Sequence, residues 1–227
     1  MISAQEALNS FREFRDASLA NCIWENGLRI RRGNLEYVFN ADKINYIGDG
    51  AEFIVASLTD DWTKVGNPAI LDETLALDGA SWLERGSIEL GGRDFQIVGL
   101  ALEEAEDMII RRKIFELYTS AELNISLYSS GAGKNLDLLV NCGDVYDNYN
   151  YPAILEREYS FALKWRQETS TLVLKINGEE IYSMTVPALT ERKTFERVLI
   201  GASVLHANAN WKGAISGFKI YDGYAEG

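Results

Sequence analysis

Histidine, cysteine and proline are almost missing from this 227-residue chain, which has one, two and three of them respectively. Two cysteines, Cys22 and Cys142, cannot make a disulfide framework or a four-thiolate zinc site, and are expected as two buried thiols. The one histidine, His206, lies in the small-residue stretch "GASVLHANANW" and reads as a surface residue rather than a catalyst. Three prolines mark no hinge. Positive charge is also scarce: 22 Lys and Arg face 34 Asp and Glu, for a formal charge of -12. A phosphate-tracking surface needs clustered cations, and the small clusters "RIRRG" and "IIRRK" are flanked by acids, so nucleic acid is not an expected partner. No run of roughly 18 uncharged apolar residues occurs, so no membrane insertion is expected. The start, "MISAQEALNSFREFRD", lacks the apolar core of a signal peptide. The expectation is synthesis in the cytoplasm, followed by action there or in a virion or other extracellular assembly.

What is present is a globular composition, 47% hydrophobic and 25% charged, long enough to bury a sizeable core. Ser3 can cap a helix, and Ala4, Ala7, Leu8, Phe11 and Phe14 recur at helical spacing, which predicts a helix over residues 3–17. From Cys22 the signal changes to short strand-like runs separated by Gly, Asn and Asp. These are "LEYVFN", "AEFIVASL", "TLALDG", "DFQIVGLAL", "KIFELY", "NISLYSS", "LDLLVNC", "SFALKWR", "TLVLKING", "EEIYSMTV", "RVLIGAS" and "GAISGFKIYD". The acidic piece "LEEAEDMIIRRK" interrupts them. Asn177-Gly178 between two alternating runs is a two-residue hairpin signal. Many short strands without a crossover helix point to an all-β chain, an antiparallel sandwich with a short N-terminal helix. The expected division is an N-terminal helix and connector arm over 1–45 and a sandwich domain over 46–227.

The order of these pieces resembles the concanavalin A-like lectin/glucanase jelly roll, in particular the laminin-G-like modules of phage and bacterial surface proteins. The matching residues are Asp78, Gly79, Asp94, Phe95, Asn177, Gly178, Trp211, Gly213, Ile215, Ile220 and Tyr221, within roughly 50–223. Two positions depart from the pattern: the usual Trp after the "dFTI" strand is Leu100, and "YSFALKW" lacks the histidines of its counterpart. The last strand is expected to turn Trp211, Ala214, Ser216, Phe218 and Ile220 to one face, with Gly213 allowing a close approach or bulge. Core positions are Phe95, Phe115, Leu138, Leu174, Ile200 and Ile220.

The glucanases of this superfamily use a Glu-x-Asp-x-x-Glu strand, whose alternation aims two carboxylates at one sugar ring. No such spacing occurs, and "EEAED" (Glu103–Asp107) reads as a solvated loop. A Ser nucleophile elbow and a Cys-His pair with a spacing signature are absent, and "GAGKN" is too short for a phosphate loop and reads as a hairpin tip. The expectation is therefore a non-catalytic module. "NCGDVYDNYNYP", read as a loop, is the candidate for glycan contact: Tyr146, Tyr149 and Tyr151 offer rings for a pyranose face, and Asn148 an amide for hydroxyls. In the same segment Asp144 and Asp147 are candidate calcium ligands, with Asp42, Asn45 and Asp49 a second oxygen-rich set. Trp62, Trp82 and Trp165 are read as core.

The functional expectation is a lectin-like adhesion or assembly module of a phage tail or virion. Its partners would be surface carbohydrate, or assembly proteins or another copy docked through residues 3–17. A carbohydrate-active enzyme of the same fold and a purely structural decoration protein are the alternatives.

Overall fold

The computed structural model describes residues 22–24, 28–32, 35–39, 44–48, 54–71, 73–103, 111–130, 135–152, 158–206 and 209–223. The helix expected over residues 3–17 lies outside them, as do Asp42 and Asp49. The chain divides into two compact units, Met1–Ile54 with Tyr224–Gly227, and Val55–Gly223.

In the first unit, β1 (Cys22–Trp24), β2 (Leu28–Arg32), β3 (Leu35–Phe39) and β4 (Ile44–Gly48) form an antiparallel four-stranded sheet in sequential order. The sequence reading had placed one strand here, at "LEYVFN", where the structure has four. Asn45 falls within β4.

The second unit is a sandwich. One sheet is ordered β18 (Glu179–Thr185), β17 (Thr171–Ile176), β16 (Tyr159–Arg166), β11 (Phe95–Glu103), β21 (Lys212–Asp222), β8 (Thr74–Asp78) and β7 (Ala69–Leu71). Strand β5 (Ile54–Ser57) pairs with β21 beside this path. The other sheet is ordered β15 (Val145–Pro152), β14 (Asn135–Cys142), β13 (Leu123–Ser130), β12 (Arg112–Ser120), β20 (Arg197–Ile200), β9 (Trp82–Arg85) and β6 (Thr63–Val65). A short ribbon pairs β10 (Ile88–Leu90) with β19 (Lys193–Phe195). The chain crosses repeatedly between sheets: β11 lies in the first, β12 to β15 in the second, β16 to β18 in the first, β20 in the second and β21 in the first. The last two crossings place β20 between β12 and β9 and β21 between β11 and β8, partners distant in sequence, which ties the two layers into one core. Among the described residues the only helix is a 3-10 turn, Pro187–Thr190, and no helix is long and apolar enough to cross a membrane.

Period-two alternation sends one side of each strand inward. Phe95, Phe115, Leu138, Leu174, Ile200 and Ile220 are all buried. The Phe115 ring lies 6.0 Å from both Phe161 and Phe218, and Phe95 stacks on Trp165 at 6.4 Å. Each such ring contributes about 1.5–3 kcal/mol through burial. Trp62 and Trp165 are in this core and Trp82 is half-buried. The hairpin β17–β18 turns at Asn177 and Gly178, with φ of 53° and 83°, the positive pair that a two-residue turn of this hand requires.

Strand β21 corrects its expected phase. Ile215, Phe218 and Ile220 point inward, whereas Ala214 and Ser216 point outward. The register against β11 shifts between Val98 and Leu100: Val98 opposes Lys219 but Leu100 opposes Ser216. Gly217 and Phe218 therefore both face Gly99, a bulge that flips the alternation halfway along the strand. The bulge sits at Gly217 rather than at Gly213.

Candidate functional site

The segment "NCGDVYDNYNYP" is not a loop. Its Gly143-Asp144 is a tight turn, with Gly143 at φ 64°, and Cys142 opposite Val145 starts a hairpin that carries β15 along the edge of the seven-stranded sheet. The reading as a loop failed because Asn and Asp are poor strand formers; here pairing to β14 and packing beneath supply what propensity does not. Alternation then divides the candidates. Tyr146, Asn148 and Asn150 are exposed on the outer face, while Asp147, Tyr149 and Tyr151 are half-buried on the other, with Tyr149 and Tyr151 packed on the core.

The inward group closes the sandwich. Tyr149 stacks on Tyr182 of β18, with ring centroids 4.0 Å apart and planes at 18°, and its hydroxyl donates to the Ile181 carbonyl at 3.0 Å. The Tyr182 hydroxyl donates to Asp147 Oδ2. Burial first, and then the neighbouring Asp147 carboxylate, push the Tyr182 phenol well above its ordinary value. Asp147 is therefore engaged in a contact between sheets, while Asp144 is exposed in the turn. Among the described residues no group of three or more acidic, imidazole or thiol side chains is placed to hold a metal ion.

The outward group belongs to a polar strip in transverse rows across four strands. One row runs Tyr118, Asn124, Asn141 and Tyr146; the next Glu116, Ser126, Leu139 and Asn148; the third Lys113, Tyr128, Asp137 and Asn150. At the β15 end the side chains are presented to solvent, with Tyr146 70% exposed. Neighbours orient them: Asn148 Oδ1 accepts from the Tyr128 hydroxyl at 2.9 Å, and Asn150 Nδ2 donates to Asp137 Oδ1. At the β12 end the strip is buried. Lys113 Nζ lies 4.4 Å from the Tyr128 ring centre, donates to Ser126 Oγ at 2.6 Å and pairs with Glu116 at 3.4 Å. Burial holds the Lys113 ammonium below its usual value, against the pull of Glu116. Glu116 also accepts from the Val204 amide at 2.6 Å, from Ser203 Oγ at 3.3 Å and from Asn124 Nδ2 at 3.4 Å. A carboxylate held by so many donors is a structural anchor for residues 203 and 204.

The sequence reading missed Tyr128, Asp137 and Asn150. The signal for Tyr128 and Asp137 is the polar half of the alternation in "NISLYSS" and "NLDLLVN", and Asn150 lies in the candidate segment itself, two residues after Asn148. Glu103 is a further correction. Rather than solvated, it is buried at the end of β11, where it accepts from Arg112 Nη1 at 3.3 Å and Ser129 Oγ at 3.0 Å, and burial raises its carboxyl above the usual range. The other acids of that run lie outside the described residues. His206 is exposed.

No protein-family model and no curated protein matches the chain. Solved structures match in shape. Domain 4 of AbnA, a GH43 extracellular arabinanase from Geobacillus stearothermophilus, in complex with arabinotriose, aligns with a TM-score of 0.55 at 18% identity, over 70% of this chain and 77% of that one. The receptor binding domain of botulinum neurotoxin C/D mosaic serotype aligns at 0.55 with 11% identity, over 73% of this chain and 44% of that one. The heptameric SAP-like pentraxin from Limulus polyphemus aligns at 0.43 with 17% identity, over 60% of this chain, which spans 65% of the pentraxin. At such identities the two alignments with a TM-score of 0.55 show the fold alone, an antiparallel β-sandwich.

Proposed function

We propose that the Val55–Gly223 unit is a non-catalytic, laminin-G-like carbohydrate-binding module that touches glycan through the outer face of β15, and that it serves in a phage tail, virion or similar surface assembly. The observation that carries the binding part is Tyr146, a large aromatic ring left 70% exposed on an edge strand, with Asn148 and Asn150 following on the same face. Positions two apart on a strand are roughly 7 Å apart, so ring and amides address adjacent parts of one saccharide. Rings pack on apolar sugar faces and amides serve both as donors and acceptors for hydroxyls. Tyr128 and Asp137 fix the two amides beforehand, which lowers the ordering cost of binding. The arabinanase domain of like fold, solved with arabinotriose, supports the choice of ligand class. The non-catalytic part is supported by both carboxylates of the strip being engaged, Glu116 by backbone and side-chain donors and Asp137 by the Asn150 amide. The assembly part rests on the resemblance to phage and bacterial surface modules.

A glycan array on the intact protein, repeated with Tyr146→Ala, tests this reading. Binding that falls about tenfold or more in the variant, with an unchanged melting temperature, is the expected result. An array without hits, or a variant that binds as the parent does, overturns it and leaves the decoration-protein alternative.

A further inference from the structure

Among the described residues five large apolar side chains are exposed, and three of them share the outer face of the sheet that holds β11. They are Leu71, the most exposed of the five at 74%, with Leu100 and Leu102 at 39% each. The registers set them in two transverse rows. One runs Leu71, Thr74, Ser216, Leu100 and Ser160, and the next runs Ala69, Ala76, Ala214 and Leu102. The second row is apolar throughout. In the first, the Thr74 and Ser216 hydroxyls bond to each other at 3.1 Å, so covering the stretch from Leu71 to Leu100 strands neither of them. Single exposed leucines are ordinary, whereas a contiguous group marks a contact surface.

The face also has relief. Because β21 carries an extra residue at Gly217 against β11, a hollow of about 450 Å³ opens beside Leu100, floored by Val98 and Ala162. Leu71 stands in the same row as this hollow, three strand spacings or roughly 14 Å away. A knob and a hollow on one face can close a pair, since a two-fold axis along the strands between β8 and β21 exchanges them. Leu71 of each copy then enters the hollow beside Leu100 of the other. The chain carries a net charge of -12, so two copies repel in general, but at this face charges of opposite sign offset each other. Lys219 pairs with Glu73 at 3.6 Å, Lys212 stands opposite Asp78 and Lys175 opposite Glu180. Six strands by three rows, the third through Val98 and Ala162, cover roughly 600 Å² at sheet spacings. A pair therefore buries roughly 1,200 Å², the lower end of the range for stable specific interfaces.

We infer that the occupant of this face is a second copy of the chain, in a two-fold pair that leaves both β15 sheets on the outside. The inference is independent of the function proposed for β15. Analytical ultracentrifugation of the intact protein from about 1 to about 500 µM tests it, with a reversible monomer–dimer equilibrium of midpoint on the order of 10 µM expected for an interface of this size. Leu71→Glu and Leu100→Glu should each weaken the dimer about tenfold or more, because each sets a charge in an apolar contact. Both side chains are exposed in the single chain, so the melting temperature of dilute protein should stay as it is. Combining Leu71→Glu with Leu100→Lys should recover most of the dimer, since the two positions face each other across the axis. Tyr146→Ala should dimerise as the parent does. The inference falls if the protein stays monomeric over that concentration range, if both single variants dimerise as the parent does, or if the combined variant is no stronger than either single one. Growth beyond two copies also overturns it, as does loss of the dimer in Tyr146→Ala, which would put the contact on the opposite sheet.

Discussion

Removing the charge of Asp222 measures how firmly the last strand is tied to the rest of the sandwich. The Asp222 carboxylate is buried at the end of β21 and accepts from Arg93 Nη2 and Arg192 Nη1, each at 2.7 Å. Arg192 Nη1 also reaches the Gly91 carbonyl at 3.1 Å. One carboxylate thus joins β21, the turn before β11 and the segment before β19. Two hydrogen bonds between charged partners would be worth about 3–6 kcal/mol in isolation. Arg93 and Arg192 are 55% and 39% exposed, so solvent screens both and rehydrates them when the partner is lost. Asp222→Asn is therefore expected to cost about 2 kcal/mol, a fall of roughly 4–8 °C in melting temperature for a domain of this size. Burial alone would raise the Asp222 carboxyl, but the two guanidinium groups outweigh it and hold the group below its ordinary value of 3.8. A carboxylate with a depressed folded value stabilises above its unfolded value and loses that contribution as pH falls through the folded one. The gap between parent and variant should be full above about pH 4 and shrink below it. Thermal melts of both proteins across pH 2–7 read this directly. A gap under about 1 °C at pH 7, or one that persists unchanged to pH 2, refutes the reasoning.

Three further outcomes are expected. Gly91→Ala should lower the melting temperature by more than Asp222→Asn, because Gly91 sits at φ 86° and a Cβ there would lie 2.6 Å from the Glu191 carbonyl oxygen and 2.8 Å from that of Leu189; circular dichroism melts check it. Ile220→Asp should abolish cooperative folding, since it places a charge in a position with no solvent access, and loss of signal dispersion in proton NMR is the readout. Burial pushes the Cys142 thiol up to about 12, so iodoacetamide at pH 8 should leave Cys142 unlabelled in the native protein and label it in urea, as peptide mapping would show.

Much of the sandwich was legible because burial acts through alternation. Runs such as "DFQIVGLAL" and "TLVLKING" place an apolar residue at every second position, and both are strands with those residues in the core. Asn177-Gly178 was legible for a different reason, since few dipeptides accept two consecutive positive φ values. The three-residue strands β6, β7, β10 and β19 were not, because three residues do not display a period. Strand β21 was legible as a strand but only partly in its phase: Trp211, Phe218 and Ile220 are buried as expected, whereas the bulge at Gly217 puts Ala214 and Ser216 on the outer face. The β15 site was half legible. Its rings and amides were identified, yet which of them reach solvent depends on pairing with β14 and on contacts to Tyr182 and Ile181, residues more than thirty positions away.

The stacking of Tyr149 on Tyr182 joins the outermost strand of one sheet to the outermost strand of the other. Sheet margins ordinarily invite a neighbouring molecule to add a strand of its own, and that is the usual route by which β proteins stick to one another. Here the two long margins, β15 and β18, are fastened together, and the Ile181 carbonyl is already taken by a phenol. The margins on the far side, β6 and β7, are three residues each, too short to template a stable addition. A neighbour adding a strand would meet the Tyr149–Tyr182 stack at the long margins and only three residues of ladder at the short ones.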